Sequence, residues 1–405
     1  MLGILIGVCA AASVSAAPQP RTYEVLYHAA VDPVQHDVAM TVKLSGEELP
    51  RKLSFRLDTS RHSGFRADGK LTQNNNTLIW EPSGTTASLH YRFKIDHQRD
   101  NGRYDALLTD DWAIFRGEDL VPSSSVTAPK VLRATAVLQF SLPKEWSVLT
   151  PYEKSAENTF RIENPDRRFQ RPLGWLILGK IGSRNERIVG IETVIAAPVG
   201  DRARRQDMLA FLNWNLPQLA QIFPGFPKRL LIVSAGDPMW RGGLSGPASL
   251  FIHTSRPLIS ENRTSTILHE LAHLALGIHG DEESDWIVEG LAEYYSVETL
   301  RRSGGIGEQR YEETMKKLAR WGQRATTLFE QHSSGATTAR AVCVFRDVDR
   351  EIRAATENHK SLDDVARILA EERGEVTLRG LQEDARKVAG RKVQSLERAH
   401  LTGKA

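Results

Sequence analysis

Two histidines four residues apart, with a glutamate directly after the first, are the part of this sequence best suited to chemistry. They stand in His269-Glu270-Leu271-Ala272-His273, inside an apolar run of helical spacing: Ile267, Leu268, Leu271, Leu274, Ala275 and Leu276. Residues four apart share one helix face, so His269 and His273 can offer two imidazoles to a single ion. Glu270 lies about 100° round the helix. There it can leave the ion alone and take a proton from a water molecule. A Zn²⁺ ion lowers that water's pKa from about 15.7 to about 7, which makes hydroxide available at neutral pH. Such a site needs a third protein ligand and an open fourth position.

Two residues compete for third ligand. His279 stands six residues after His273, where metzincin proteases place a third histidine. Those proteins need a glycine three residues after the second histidine and a methionine turn downstream. Here Leu276 occupies that position, and Met315 lies in a helical-looking stretch, Glu312 to Lys317. The other candidate is Glu289, in Trp286-Ile287-Val288-Glu289-Gly290-Leu291-Ala292-Glu293-Tyr294-Tyr295. Asp285 is placed to cap this second helix. Glu289 and Glu293 share a face, where like charges repel unless a cation offsets them. Glu289 would bind the metal. Glu293 would hold the far nitrogen of a ligating histidine and fix its tautomer.

The elements that must position these residues follow from hydrophobic period. The first half alternates with period two: Val38 to Leu44, Leu53 to Leu57, Leu89 to Ile95 and Leu138 to Leu142. Gly64, Gly69, Asn74 to Asn76 and Gly84 punctuate it, the pattern of an antiparallel β-sandwich. Ile188 to Ala196 is expected to close this half. From Met208 to Ile222 the period becomes helical. Arg229 to Ser234 and Ala248 to Thr254 read as strands joined by a Gly-rich stretch, Gly242 to Pro247. From Ser260 onward the pattern is mostly helical.

Composition narrows the classes. The 405 residues fit two or three domains. The 53 Lys+Arg and 50 Asp+Glu leave +3, which argues against a nucleic-acid partner. Cys9 and Cys343 are the only cysteines, so thiolate zinc modules and disulfide frameworks are excluded. Any metal must be held by imidazole and carboxylate. Met1 to Ala17 is apolar and ends in small residues, as a secretory signal peptide does. A periplasmic or secreted protein is therefore expected, with no membrane span in the mature chain. The organisation expected is a signal peptide at 1–17, a β-rich domain at 18–200 and a catalytic domain at 201–405.

The segments His269–Gly277 and Trp286–Tyr295 resemble the two zinc segments of the aminopeptidase N family, thermolysin-like gluzincins. Gly242-Gly243-Leu244, Arg350 to Arg353 and Ser361 to Val365 are similar to segments of the glycyl aminopeptidase family of the same clan. The resemblance implies an α+β fold, with an N-terminal antiparallel β-sandwich-like domain followed by a mostly helical thermolysin-like zinc peptidase domain. It implies one Zn²⁺ per chain on His269, His273 and Glu289, with Glu270 as general base. It also implies a peptide or protein substrate laid along an edge strand at Gly242, Gly243 and Leu244. Both families place an amine-binding glutamate in or after that Gly-rich segment. Here Ser245 follows Leu244, so aminopeptidase action is not supported. For the oxyanion donor, Thr338, His332, Tyr311 and Arg340 stay open. The rival to a peptidase is a scaffold of the same fold with an inherited, purely structural zinc site.

Overall fold

The computed structural model describes residues 21–163 and 169–402. The leader expected at 1–17 lies outside the described residues. Alternation organises the first half. In Asp37–Ser45 the side chains of Val38, Met40, Val42 and Leu44 are buried, and the residues between them are not. This strand belongs to a seven-stranded sheet. From edge to edge its strands are Glu153–Ala156, Thr159–Ile162, Leu132–Ser141, Arg21–Asp32, Asp37–Ser45, Thr86–Lys94 and His62–Ala67. The antiparallel expectation is corrected at its centre, where Arg21–Asp32 and Leu132–Ser141 run parallel. A parallel pair needs a long crossover, and the 99 intervening positions supply one. One apolar core joins this sheet to Leu53 and Phe55, to Ala113 and Phe115, and to Leu176 and Leu178.

The strand expected at Ile188 to Ala196 is a hairpin of two strands, Ile181–Ile188 and Ile191–Pro198. Val189 and Gly190 both take positive φ at its turn, 43° and 84°, the conformation of a type I′ connection. Ile191–Pro198 pairs in parallel with Arg229–Ala235. It therefore joins the sheet of the second half instead of closing the first. That five-stranded sheet continues through Ser249–His253 to Gly243–Gly246 at its edge. The Gly-rich stretch, a connector by its spacing and an edge strand by the family resemblance, forms a strand at Gly243–Gly246, antiparallel to Ser249–His253.

Helices pack on this sheet and on one another, giving a mixed α+β architecture. They include α1 (Arg205–Ile222), α2 (Thr266–Leu276), α3 (Asp285–Arg302), α4 (Glu308–Gly322), α5 (Ala336–Ala355) and α6 (Leu362–Glu372). α2 carries the two histidines. Ser265 caps its start by accepting from the Leu268 N–H. Gly277 ends it with φ 61°, a left-handed conformation that glycine adopts without a Cβ penalty. Ile267, Leu268, Leu271, Ala272 and Ala275 bury its apolar face. Among the described residues no helix is long and apolar enough to cross a membrane.

Candidate metal centre

α2 and α3 are pinned together at one end. The Ser265 N–H donates to Ser296 Oγ, and that hydroxyl donates back to the Ser265 carbonyl, both at 3.1 Å. The bond pair fixes how far α3 sits from the start of α2. It places Glu289 and Glu293 opposite His269 and His273. Trp286 and Ile287 anchor the first turn of α3 in the core. The start of α3 differs from expectation. Ser284 is its cap residue, and Asp285 is the first helical residue. The Asp285 carboxylate accepts from the Ser333 N–H at 2.6 Å, which ties α3 to the turn before α5.

Three side chains converge. His269 Nε2 and His273 Nε2 are 3.0 Å apart, and each lies 3.4 Å from a carboxylate oxygen of Glu289. Among the described residues this is the one group of three potential ligands so gathered. The spacing fits a tetrahedral zinc ion. Bonds of about 2.0–2.1 Å at the tetrahedral angle set neighbouring ligand atoms about 3.3–3.4 Å apart. The donor set, two imidazoles and a carboxylate, is also the chemistry that such an ion accepts. His279 is elsewhere. It is exposed on the short strand Ile278–Gly280, paired with Gly374–Val376, and stands outside the convergent group.

Glu293 stands behind His269, with its Oε2 3.0 Å from Nδ1. A carboxylate accepts there, so Nδ1 carries a proton, and once Nε2 is deprotonated its lone pair faces His273 and Glu289. Burial lowers the proton affinity of His269. Hydrogen bonds to Glu289 and Glu293 and the charge of Glu270 outweigh that and raise its pKa to about 10. Burial pushes the Glu289 carboxyl up, yet its contacts with His269 and His273 hold it well below the usual carboxylate range. The centre without metal is thus an ion-paired cluster. A dication would take over the attraction that the imidazolium proton supplies.

Glu270 is 8% exposed and lies beneath the edge strand. A Cβ on Gly243 would come within 2.8 Å of its Cγ and 2.6 Å of Thr266 Cγ2. Gly243 therefore lets the strand approach α2 closely enough to cover the carboxylate. The Gly242 carbonyl accepts from the His253 N–H. By the alternation of an antiparallel ladder, the peptide groups of Gly243 and Ser245 turn toward the free edge. The Leu244 carbonyl receives the Trp175 indole N–H at 3.0 Å. Gly242 packs against the Trp240 ring.

The sequence matches no protein-family profile and no curated protein. Its fold does have a likeness. The chain is similar to an aminopeptidase N family protein from Idiomarina loihiensis. The two superpose with a TM-score of 0.66 at 15% identity, over 86% of this chain and 70% of that one. At that identity the likeness is one of fold.

Two of the four candidate oxyanion donors are engaged by other partners. Tyr311 is buried under the Arg301 guanidinium. Arg340 donates to the carbonyls of Ala325 and His400. His332 is exposed, and Thr338 is partly exposed on α5. Sequence spacing missed the Ser265–Ser296 clasp. Nothing in a single sequence marks two serines 31 positions apart as partners.

Proposed function

We propose that this chain is a zinc-dependent peptidase of the thermolysin-like gluzincin type. The observation that carries the reading is the convergence of His269, His273 and Glu289, with Glu270 beside it under a free strand edge. His269, His273 and Glu289 hold the ion, and Glu293 fixes the tautomer of His269. Zinc, when bound, supplies a Lewis acid that polarises the scissile carbonyl and acidifies a water molecule.

The edge strand Gly243–Gly246 aligns an extended peptide through the outward peptide groups of Gly243 and Ser245. Glu270 accepts a proton from the attacking water and returns it to the leaving nitrogen. The water oxygen bonds to the carbonyl carbon and the C–N bond breaks, which yields a carboxylate and an amine. The leader-like residues 1–17 support export of the protein. Retention of a base beside the ligands favours an enzyme over a structural zinc scaffold.

The test is incubation of the purified, zinc-loaded protein with a mixed peptide library, with and without chelator. Cleavage that the chelator abolishes, with both product termini identified by mass, is the expected result. Glu270→Gln should keep its zinc and lose turnover. No chelator-sensitive cleavage, or a fully active Glu270→Gln protein, would favour the scaffold.

A further inference from the structure

A second feature adjoins the metal centre. A cavity of about 470 Å³ is bounded on one side by Thr264 and Glu293, and on the other by Lys317, Arg320, Trp321 and Arg324. Lys317, Arg320 and Trp321 recur at i, i+3 and i+4 on the last turns of α4, and Arg324 follows in the turn just past its end, so the four present one face to the cavity. That face carries three cations and an indole that is 44% exposed. Two of the three acidic residues of the same helix are committed elsewhere: Glu308 pairs with Arg301, and Glu313 with Arg263. No ion pair among the described residues engages Lys317, Arg320 or Arg324. The carboxylate on the cavity wall, Glu293, already accepts from His269.

The orientation of the edge strand says which part of a substrate arrives there. A peptide added antiparallel to Gly243–Gly246 runs from Gly246 toward Gly243. Gly243 abuts Thr266 and Glu270 on α2. Gly246 instead lies against Gly174 and Trp175, so residues C-terminal to the scissile bond leave the strand at the end beside Thr266, two residues from Thr264 on the cavity wall.

We propose that this cavity binds a carboxylate on the leaving-group side of the substrate, supplied by an acidic side chain or by a free C-terminus. The placement of the scissile bond rests on the peptidase reading. The recognition itself does not, because it needs only a carboxylate and three unpaired cations. Charge-assisted hydrogen bonds to Arg and Lys, together with the apolar ring of Trp321, are the means of selection.

The experiment uses four peptides of one sequence that differ only in the residue after the scissile bond and in the terminus. They are Ala with a free acid, Ala with an amide, Glu with an amide and Lys with an amide. Cleavage rates and calorimetric binding are both measured on the full-length protein. The two carboxylate-bearing peptides are compared with the Ala amide, and the comparison of Glu amide with Ala acid separates the two sources. At least one of them should exceed the Ala amide by about tenfold in kcat/KM and in affinity. The Lys amide should fall below it. In a protein carrying Arg320→Glu and Arg324→Glu, on exposed positions, the ratio should drop toward one or invert. Ratios near one for every peptide on the wild-type protein overturn the proposal. If no peptide is cleaved but the binding preference persists, the peptidase reading fails and the carboxylate site stands.

Discussion

Gly243 and Glu270 come so close that a single added methyl group would sit 2.8 Å from the Cγ and 2.9 Å from Oε1 of the glutamate. The strand and the helix share that space because position 243 has no side chain. Gly243→Ala must either push the carboxylate aside or lift the strand edge. Displacing a proton-transfer group by about 1 Å costs on the order of 100-fold in rate. We expect kcat/KM to fall by about that factor while zinc content stays at one per chain. Steady-state kinetics beside metal analysis checks this, and an alanine variant with wild-type kcat/KM would show that the clearance is not needed.

Glu293 never reaches the centre of the cluster, yet it sets the orientation of His269 through Nδ1. Removing such a partner typically weakens zinc binding by about 10–100-fold. Glu293→Ala should lie in that range in chelator competition, and Glu289→Ala should weaken binding further because it removes one of the three proposed ligands. His279→Ala should leave affinity unchanged, since that residue is exposed on another element. A large loss with His279→Ala would restore it as the third ligand.

The sequence made the helix and its residues legible because four-residue spacing and helix geometry are the same statement. Burial of Val38, Met40, Val42 and Leu44 was equally readable from alternation. What could not be read was pairing at a distance. Ile191–Pro198 looks like any alternating strand, and only its parallel register with Arg229–Ala235 assigns it to the second sheet. By spacing alone the Gly-rich stretch Gly242 to Pro247 reads as a connector, because glycine has poor strand propensity, and only the family resemblance points to an edge strand. Its glycines are explained by what lies across from them, the Trp240 ring and the Glu270 side chain. The cap at Ser284 was missed because Asp285 finds a partner 48 positions away, at Ser333.

Zinc binding should release a proton at neutral pH. In the metal-free protein the His269 pKa stands at about 10, so the ring is protonated at pH 7.5. A metal ligand must be deprotonated, and the ion therefore displaces that proton. Glu289 is held in its ionised form and contributes none. Apparent affinity should rise about tenfold per pH unit between roughly pH 7 and 9 and level off above about 10. Calorimetry in two buffers of different ionisation enthalpy should count about one proton released per zinc at pH 7.5. Identical heats in the two buffers would contradict the assignment. The sign for stability runs the other way. The raised His269 value stabilises the metal-free fold below about pH 6.5, and that contribution is lost as pH rises through about 10.

The far end of α3 rests on a buried charge network that the chemistry does not use. Arg302 Nε donates to Glu298 at 2.7 Å, and its two terminal nitrogens donate to Asp363 at 2.7 and 3.1 Å. Arg301 donates to the same Glu298, whose side chain is only 3% exposed. The Tyr295 hydroxyl also donates to Asp363, at 3.2 Å. Arg302 thus fastens the end of α3 to the start of α6. Removing one partner of a buried pair leaves the other charge uncompensated and costs about 3–5 kcal/mol. Arg302→Ala should therefore lower Tm by on the order of 10 °C, given about 2–4 °C per kcal/mol in a domain of this size. Arg302→Lys should recover only part, because an ammonium cannot bridge two carboxylates with the same fork. Burial raises the Glu298 carboxyl, but Arg301 and Arg302 outweigh that and hold it low. Its contribution is present above its ordinary value of 4.5 and lost as pH falls through the lowered folded value. Arg302→Ala should therefore flatten the acid limb of a Tm–pH profile, and parallel wild-type and variant profiles would assign the stability elsewhere.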